Sequence, residues 1–193
     1  MPDVIDLGEV HLRQWAPGDV AALTVAVVES LDHLHPWMVW ATPEEATEAA
    51  LARFIADGRA RAADGSEATY GIFEPGTGAV LGGVGLHDRL APGGIEIGYW
   101  LHPRATGRGL MTRIVAHLSD LALALDDVWW VEVRCDEANR ASAAVPRRLG
   151  YHLADVIAST RPQAPADTGR DMIWARTEPV GPWARPPAGG DRA

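Results

Sequence analysis

The segment that most restricts the fold is a glycine-containing turn between a strand pattern and a helix pattern. Residues 95–101 read IEIGYWL and predict a strand, and the helical spacing of apolar residues over 109–125 predicts an amphipathic helix. The turn between them contains RATGRG, residues 104–109. Backbone N–H groups at the start of a helix bind anions, and glycine lets an anion approach the backbone closely. The segment therefore predicts a phosphate-binding loop or a flexible turn, and the neighbouring elements distinguish the two.

The order of these elements predicts one mixed α/β domain. Thr42 is predicted to cap the second helix, with Pro43 and Glu45 in its first turn. We expect a single domain over residues 1–178, followed by a Pro/Gly-rich, mobile tail over residues 179–193. The helix patterns lie at about 20–31, 42–63, 109–125 and 139–150. The strand patterns lie at 9–15, 67–73, 79–86, 95–101, 128–135, 151–160 and 170–177.

The composition excludes several classes of function. The chain has 17 basic residues against 26 acidic residues, a formal net charge of −9, which argues against a nucleic-acid partner. All 17 basic residues are arginine, so the chain can form neither a lysine Schiff base nor a phosphate loop with a lysine. The single cysteine, Cys135, excludes an internal disulfide and favours a cytoplasmic location. We expect no secretory signal and no membrane partner, because no apolar run is long enough to span a bilayer.

The glycine spacing does not fit a dinucleotide-binding fold. Such a fold requires G-x-G-x-x-G near the start of a βαβ unit, whereas the strands predicted before this loop are antiparallel. An oxidoreductase with a nucleotide cofactor is therefore the weaker alternative.

Three segments together resemble the GNAT N-acetyltransferases. The pattern R-x-x-G-x-G after a strand is similar to that family's acetyl-CoA pyrophosphate loop. Residues 135–151, CDEANRASAAVPRRLGY, are similar to the N-x-x-S-x-x-V-x-x-x-L-G-Y/F segment of its RimJ/RimL-like branch. Residues 32–46, DHLHPWMVWATPEEA, resemble the acceptor side of that branch. The resemblance covers about residues 5–177 and is specific to the family and the branch, but not to a substrate.

This resemblance implies a fold and an activity. The GNAT fold is an α/β fold with a central, mostly antiparallel sheet of about seven strands and about four flanking helices, in which the fourth and fifth strands splay apart. The implied enzyme is an N-acetyltransferase that transfers the acetyl group of acetyl-CoA to a primary amine by direct attack in a ternary complex, without a metal. The acceptor would be a protein N-terminus or a small amine such as an antibiotic or a polyamine, and the protein a monomer or a homodimer. Two alternatives stay open: a non-catalytic acyl-CoA-binding module, and a transferase for a longer donor such as succinyl-CoA.

By the same resemblance, acetyl-CoA contacts the end of the fourth strand and the loop that follows. The pantetheine arm would pair with the strand end, where Trp100 could equally be a core residue. Backbone N–H groups of the loop would bind the pyrophosphate, with charge from two arginines that could instead be solvated. The residues expected to bind the cosubstrate are Trp100, Leu101, His102, Arg104, Gly107, Arg108, Gly109, Leu110, Met111, Thr112, Asn139 and Ser142.

The resemblance assigns Ser142 as the proton donor to the departing CoA thiolate. Many GNAT enzymes have a tyrosine acid four residues before the family's glycine, and here Pro146, which cannot donate a proton, stands at that position. Asn139 and Ser142 are spaced i, i+3 and share a helix face. Asn139 could also be the N-cap of this helix, and Ser142 a packing residue with ordered water as the donor.

Two side chains are candidates for the general base. Glu96 lies in the fourth strand on the same side as Gly98 and Trp100, and GNAT enzymes often use a glutamate on this strand, commonly through water. His87 ends the preceding strand pattern and is the second candidate, because histidine titrates near neutral pH. Glu96 could instead be a surface carboxylate, and His87 a structural residue.

The acceptor is expected near HLHPWMVW, residues 33–40. This segment could cover an apolar or cationic amine, or it could be a hinge packed on the sheet. Two histidines two residues apart do not make a metal site without further ligands. Cys135 is expected to be a buried thiol rather than a nucleophile. The residues expected to bind the acceptor are His33, His35, Trp37, Trp40 and His87.

Overall fold

Eight strands form one continuous sheet in the computed structural model, which describes residues 2–180. The sheet order is β1-β2-β3-β4-β5-β6-β8-β7. Neighbouring strands are antiparallel except for β5 and β6, which are parallel. The strands are β1 Val4–Asp6, β2 His11–Gln14, β3 Glu67–Phe73, β4 Val80–His87, β5 Gly94–Leu101, β6 Trp130–Asp136, β7 His152–Ala158 and β8 Arg170–Arg176.

Four helices cover the two faces of this sheet. On one face, α1 and α2 enclose a core that includes Leu23, Ile55 and Phe73, and on the other face α3 and α4 cover a larger core. We call these the α1/α2 face and the α3/α4 face. The helices are α1 Val20–Leu34, α2 Glu48–Asp64, α3 Leu110–Leu123 and α4 Arg140–Arg148, with single 3-10 turns at Pro17–Asp19 and Pro103–Ala105.

Strand β5 supplies side chains to both faces, because successive residues of a strand point to opposite sides. Ile97 and Tyr99 belong to the core under α3 and α4, and Ile97 is fully buried there. Glu96, Gly98 and Trp100 alternate with them, and Trp100 packs against the core under α1 and α2. A group bound beside β5 can therefore be approached from either face.

The two central strands, β5 and β6, pair only where they begin. Residues 94–96 pair with residues 130–132, whereas β5 continues to Leu101 and β6 to Asp136. The remaining parts of the two strands diverge, which confirms the splay predicted between the fourth and fifth strand patterns. We call this gap the β5–β6 opening. It leaves backbone groups of β5 free for a ligand, since a strand edge without a partner has unpaired N–H and C=O groups.

The structure differs from the sequence prediction in two places. β1 is an eighth strand ahead of the first predicted one, and at three residues it is too short to show a periodic pattern. α2 begins at Glu48 rather than near Thr42, because Thr47 is extended (φ −106°, ψ 150°) and its hydroxyl accepts the Ala50 N–H. The predicted cap, Thr42, instead closes a separate turn, in which its backbone carbonyl accepts the Ala46 N–H at 2.9 Å.

Most of the predicted tail, residues 181–193, lies outside the described residues. Val180, the second residue of the predicted tail, donates its N–H to the Asp120 carboxylate and packs its side chain on the core of the α3/α4 face. Within residues 2–180, no helix is long and apolar enough to cross a membrane.

Candidate active site

The loop that follows β5 has the backbone geometry of an anion site. Gly107 and Gly109 adopt left-handed conformations, with φ of +73° and +71°, which residues with a side chain rarely adopt. α3 starts directly after them, and the Arg113 N–H donates to the Gly109 carbonyl at 3.2 Å. The N–H groups ahead of Arg113 have no acceptor one helical turn earlier. A Cβ atom on Gly107 would meet no heavy atom within 4 Å, so the space above the loop is open.

The side chains of this loop divide into exposed cations and buried apolar or hydroxyl groups. Arg104 and Arg108 are exposed, and the Arg104 guanidinium lies 3.9 Å from the Glu74 carboxylate. The first turn of α3 consists of Leu110, Met111 and Thr112, whose side chains are buried in the core. These residues can therefore offer only backbone groups to a ligand. Binding at this loop would therefore depend mainly on the backbone.

His102 holds the loop in place through both of its ring nitrogens. Its Nδ1 accepts the Arg104 N–H at 3.2 Å, so the ring proton is on Nε2, which donates to the Glu29 carboxylate of α1 at 3.0 Å. The side chain predicted to contact the cosubstrate is thus occupied with protein groups, and the main chain of His102 and Leu101 remains beside the β5–β6 opening.

Ser142 and Tyr99 form a reciprocal hydrogen-bonded pair on the α3/α4 face. The Ser142 hydroxyl donates to the Tyr99 oxygen at 3.3 Å, and the Tyr99 hydroxyl donates to the Ser142 carbonyl at 3.1 Å. The helix leaves that carbonyl free because Pro146, four residues later, has no N–H. Burial raises the pKa of Tyr99, so its hydroxyl is protonated at neutral pH. Pro146 thus leaves a carbonyl free to accept the hydrogen bond from Tyr99.

Two further groups adjoin this pair. Asn139 is the N-cap of α4, as its side-chain oxygen accepts the Ser142 N–H at 3.1 Å. Cys135 is buried at the end of β6, and burial raises the pKa of its thiol to about 11. A thiol with so high a pKa is a poor nucleophile at neutral pH.

On the α1/α2 face, four titratable side chains form one row across four neighbouring strands. Glu67 of β3 pairs with His87 of β4, His87 pairs with Glu96 of β5, and Glu96 pairs with Glu132 of β6. Cross-strand partners point to the same side of a sheet. We call these four residues the titratable row; it crosses the sheet where β5 and β6 begin to diverge.

Each carboxylate of the titratable row has an arginine partner. Arg89 binds both oxygens of Glu96, at 2.8 and 2.5 Å, while Glu67 contacts Arg61 and Glu132 accepts from Arg134 at 2.9 Å. The carboxylates are buried and their partners are more exposed: 10% of the Glu96 side chain is accessible, against 54% of Arg89. The carboxylates of the titratable row are therefore each compensated by a neighbouring arginine.

The predicted acceptor residues are spread along one edge of the same face. Trp40 and Trp100 make an edge-to-face contact with ring centroids 6.1 Å apart. Trp37 is half-buried, and His33 and His35 are exposed at the end of α1. The β7–β8 connection reaches this segment, because the Ala166 N–H donates to the Pro36 carbonyl at 2.9 Å. The structure thus brings Trp40 beside the end of β5, and the two histidines lie at the exposed end of α1.

Asp136 ties the β7–β8 connection to the end of β6. Its buried carboxylate accepts hydrogen bonds from the N–H groups of Ala138, Thr168 and Gly169 and from the Thr168 hydroxyl. Burial opposes ionisation of Asp136, but these hydrogen bonds outweigh it and hold the pKa below its ordinary value.

Replacing Asp136 with alanine is expected to lower the free energy of unfolding by about 3 kcal/mol, because buried N–H groups lose their acceptor. Part of this contribution should be lost from the wild type as the pH falls through the lowered pKa of Asp136, because that pKa rises to its ordinary value on unfolding. Urea unfolding at neutral and acidic pH measures both effects, with the exposed Asp127→Ala variant as the control. Equal stability of the two variants would show that Asp136 does not anchor the connection.

Sequence reasoning missed two members of this site, Tyr99 and Glu67. Tyr99 could have been found, because it is the β5 residue that alternates with Gly98, and Pro146 signals a free carbonyl one turn earlier in α4. Glu67 required the register of β3 against β4, which the sequence does not specify. Within residues 2–180, no group of three His, Cys, Asp or Glu side chains is arranged to hold a metal ion.

Comparison with known proteins gives a consistent set of relatives. Residues 9–152 match the family described as the acetyltransferase (GNAT) domain. YdaF of Bacillus subtilis (strain 168), a protein named as a ribosomal N-acetyltransferase, is 25% identical over 147 residues, which cover 74% of this chain and 77% of YdaF.

Two solved structures have the same fold. An acetyltransferase from Salmonella typhimurium, described as modifying the N-terminal serine of ribosomal protein L7/L12, superposes with a TM-score of 0.78 at 21% identity, covering 91% of this chain and 99% of its own. The microcin C7 self-immunity acetyltransferase MccE, in complex with acetyl-CoA and AMP, superposes with a TM-score of 0.81 at 17% identity, covering 92% and 98%.

Proposed function

The chain belongs to the GNAT acetyltransferase family, and from that premise we propose that it transfers the acetyl group of acetyl-CoA directly to the primary amine of an acceptor. The observation that carries this proposal is the β5–β6 opening, which leads straight into the glycine loop at the start of α3. The opening can take an extended arm beside β5, and the loop can take a pyrophosphate. A single ligand that joins an extended arm to a pyrophosphate fits both parts, and acetyl-CoA is such a ligand.

The donor side of the site is proposed to bind acetyl-CoA mainly through main-chain groups. The N–H groups of residues 107–112 bind the pyrophosphate with help from the exposed Arg104 and Arg108. The edge of β5 near Leu101 pairs with the pantetheine arm, and the Asn139 amide, which caps α4 through its oxygen, keeps its N–H groups for the same arm. The MccE complex with acetyl-CoA supports this choice of donor.

The reaction we propose needs a proton donor on the α3/α4 face. The amine nitrogen attacks the thioester carbonyl, a backbone N–H of β5 stabilises the oxyanion, and the C–S bond then breaks. Ser142, whose hydroxyl hydrogen-bonds to the Tyr99 oxygen, gives its proton to the departing CoA thiolate and regains one from solvent. This pair also argues against a non-catalytic acyl-CoA-binding module, since two hydroxyl groups replace the missing family tyrosine.

The acceptor we propose is the free α-amine of a protein, as the relatives that act on ribosomal proteins suggest. The net acidity of the chain does not select a cationic amine here, because arginines compensate the carboxylates of the titratable row. Trp40 and Trp100 form an apolar wall at the end of β5, which suits the side chain of an N-terminal residue.

Replacing Trp40 with alanine is expected to raise the KM for the acceptor about tenfold and to leave the Kd for acetyl-CoA unchanged. The Trp40 indole packs against Trp100 at the end of β5, where we propose that the acceptor binds, and Trp40 does not belong to the glycine loop. Initial rates at varied acceptor concentration, together with calorimetric titration of acetyl-CoA, measure the two effects. Phe54→Ala, which removes another exposed aromatic residue, is the control; a similar loss in both variants would remove Trp40 from the acceptor site.

A screen of donors and acceptors tests the proposed function. Calorimetric titration compares acetyl-CoA, succinyl-CoA and NAD, and the release of CoA thiol is then followed with an N-terminal serine peptide, polyamines, aminoglycosides and peptide antibiotics. We expect acetyl-CoA to bind most tightly and the peptide to be the best acceptor. Preference for NAD would support an oxidoreductase, and turnover of another amine would change the acceptor class.

A further inference from the structure

We propose that His87 removes the proton from the attacking amine and that Glu67, on the neighbouring strand, is the positioning residue that orients its ring. The inference rests on the proposed function and adds the base side of the same site. It concerns the first two members of the titratable row, of which the sequence suggested only His87.

The His87 ring is held at one nitrogen and open at the other. Its Nδ1 contacts the Glu67 carboxylate, whose second oxygen binds Arg61 of α2. The opposite nitrogen, Nε2, lies over two residues without side chains: a Cβ atom would be 2.7 Å from it on Gly85 and 3.4 Å from it on Gly98. The ring therefore occupies the space over these two glycines, and among residues 2–180 only Nδ1 has a hydrogen-bond partner, while Nε2 lies over the stretch of β5 that borders the β5–β6 opening.

Glu96, the other candidate for the base, already has both oxygens in use. Arg89 donates from its Nε to one oxygen and from a terminal nitrogen to the other. A proton taken up by Glu96 would have to displace one of these charge-assisted hydrogen bonds. His87 offers a free lone pair at no such cost, so the structure favours His87 over Glu96 for proton transfer.

Charges from every neighbouring element set the protonation of His87. Burial and the Arg89 cation lower its pKa, Glu67 and Glu96 act in the opposite direction, and the net pKa is below the ordinary value. The imidazole is therefore neutral at neutral pH. With the Glu67 carboxylate at Nδ1, the single ring proton lies on Nδ1 and the lone pair on Nε2.

The proton balance closes without another reactant. The acceptor ammonium gives one proton to Nε2 of His87, and the neutral amine attacks the thioester. Glu67 stabilises the imidazolium, which then releases its proton to solvent. The second nitrogen proton is lost to solvent when the tetrahedral intermediate collapses, and Ser142 protonates the CoA thiolate and takes one proton back from solvent. The products are the N-acetyl amide, free CoA thiol and one proton.

Nitrogen NMR of the protein tests the ring state without any acceptor. Two-bond ¹H–¹⁵N spectra should assign His87 as neutral at pH 7, with its proton on Nδ1, and titration should give a pKa below the ordinary value for histidine. A proton on Nε2, or a charged ring at pH 7, would overturn the proposal even if the enzyme is active. This measurement also separates a failure of the dyad from a failure to find the acceptor.

Kinetics with an N-terminal serine peptide and acetyl-CoA test the role of each residue. His87→Gln should lower kcat by 100-fold or more with the Kd for acetyl-CoA unchanged. Glu67→Gln should lower kcat about tenfold and move the acidic limb of the kcat profile to lower pH, because the carboxylate that raises the His87 pKa is gone. Arg89→Gln should move the same limb to higher pH, because a neighbouring cation is gone.

Two controls keep these shifts interpretable. His11→Gln removes a histidine that also faces a carboxylate, Asp6 at 3.9 Å, but lies on β2 outside the row, and its profile should match the wild type. The α-amine of the peptide titrates at about 7.7–8.0 and contributes equally to every variant. Two results would assign the base to Glu96 and contradict the proposal. One is a kcat profile of His87→Gln that keeps the acidic limb of the wild type. The other is an acidic limb that disappears in Glu96→Gln but not in His87→Gln.

Discussion

Replacing Gly107 with glutamate is expected to weaken acetyl-CoA binding at least about 100-fold while the chain remains folded. Gly107 has φ of +73° and open space above it, so the new side chain has no protein neighbour to displace. Its carboxylate would lie where the pyrophosphate is proposed to bind, and two like charges in contact repel each other strongly. Calorimetric titration of acetyl-CoA measures the loss of affinity, and circular dichroism with thermal unfolding measures the fold.

Two variants separate the charge from the backbone strain. Gly107→Gln introduces the same strain and bulk without the charge, and should lose less affinity than Gly107→Glu. Gly76→Glu adds a carboxylate at another open glycine of similar conformation, φ +80°, in the β3–β4 connection. That variant should bind acetyl-CoA as the wild type does. Unchanged affinity in Gly107→Glu would remove the glycine loop from the donor site.

Replacing Ser142 with alanine is expected to lower kcat about 100-fold at neutral pH without changing the Kd for acetyl-CoA. The hydroxyl acts only when the C–S bond breaks, so its loss affects the transition state rather than binding. Rapid-quench measurement of a single turnover, alongside calorimetry, separates the chemical step from cosubstrate affinity.

Tyr99 gives the matched test of the same assignment. Tyr99→Phe removes the hydroxyl that accepts from Ser142 and donates to its carbonyl, and should lower kcat about tenfold. Pro146→Ala restores a helical N–H that competes with Tyr99 for the Ser142 carbonyl, and should lower kcat while making α4 more stable. Full activity in Ser142→Ala would return the proton donor to ordered water.

The fold could be predicted from the sequence because its main elements are long and regular. The apolar residues of β5 and α3 follow clear strand and helix periods, and the glycine turn marks where one element ends and the next begins. The predicted start of α2 was wrong because two possible helix caps, Thr42 and Thr47, lie close together in the sequence. The turn at Thr42 is separated from α2 by Ala46, which is buried between them. β1 was missed because it depends on pairing with β2 rather than on its own pattern.

The candidate site could be predicted on the donor side more fully than on the acceptor side. The glycine loop and α4 are continuous segments, so their residues follow from local patterns. The titratable row is built by register across four strands, and neither the Glu67–His87 contact nor the Arg89–Glu96 pair can be derived without that register. His33 and His35 were predicted because residues 32–46 resemble the acceptor side of the branch, and they lie at the exposed end of α1.

The most direct test of the central claim is mass spectrometry of an N-terminal serine peptide after incubation with acetyl-CoA and the protein. The account predicts one acetyl group on the peptide α-amine for each CoA released, and neither product with Gly107→Glu. An acetyl group on the protein, at Cys135 for example, would contradict direct transfer. Tight binding of acetyl-CoA with no acetylated product from the peptide or from any amine of the screen would contradict the enzymatic function itself.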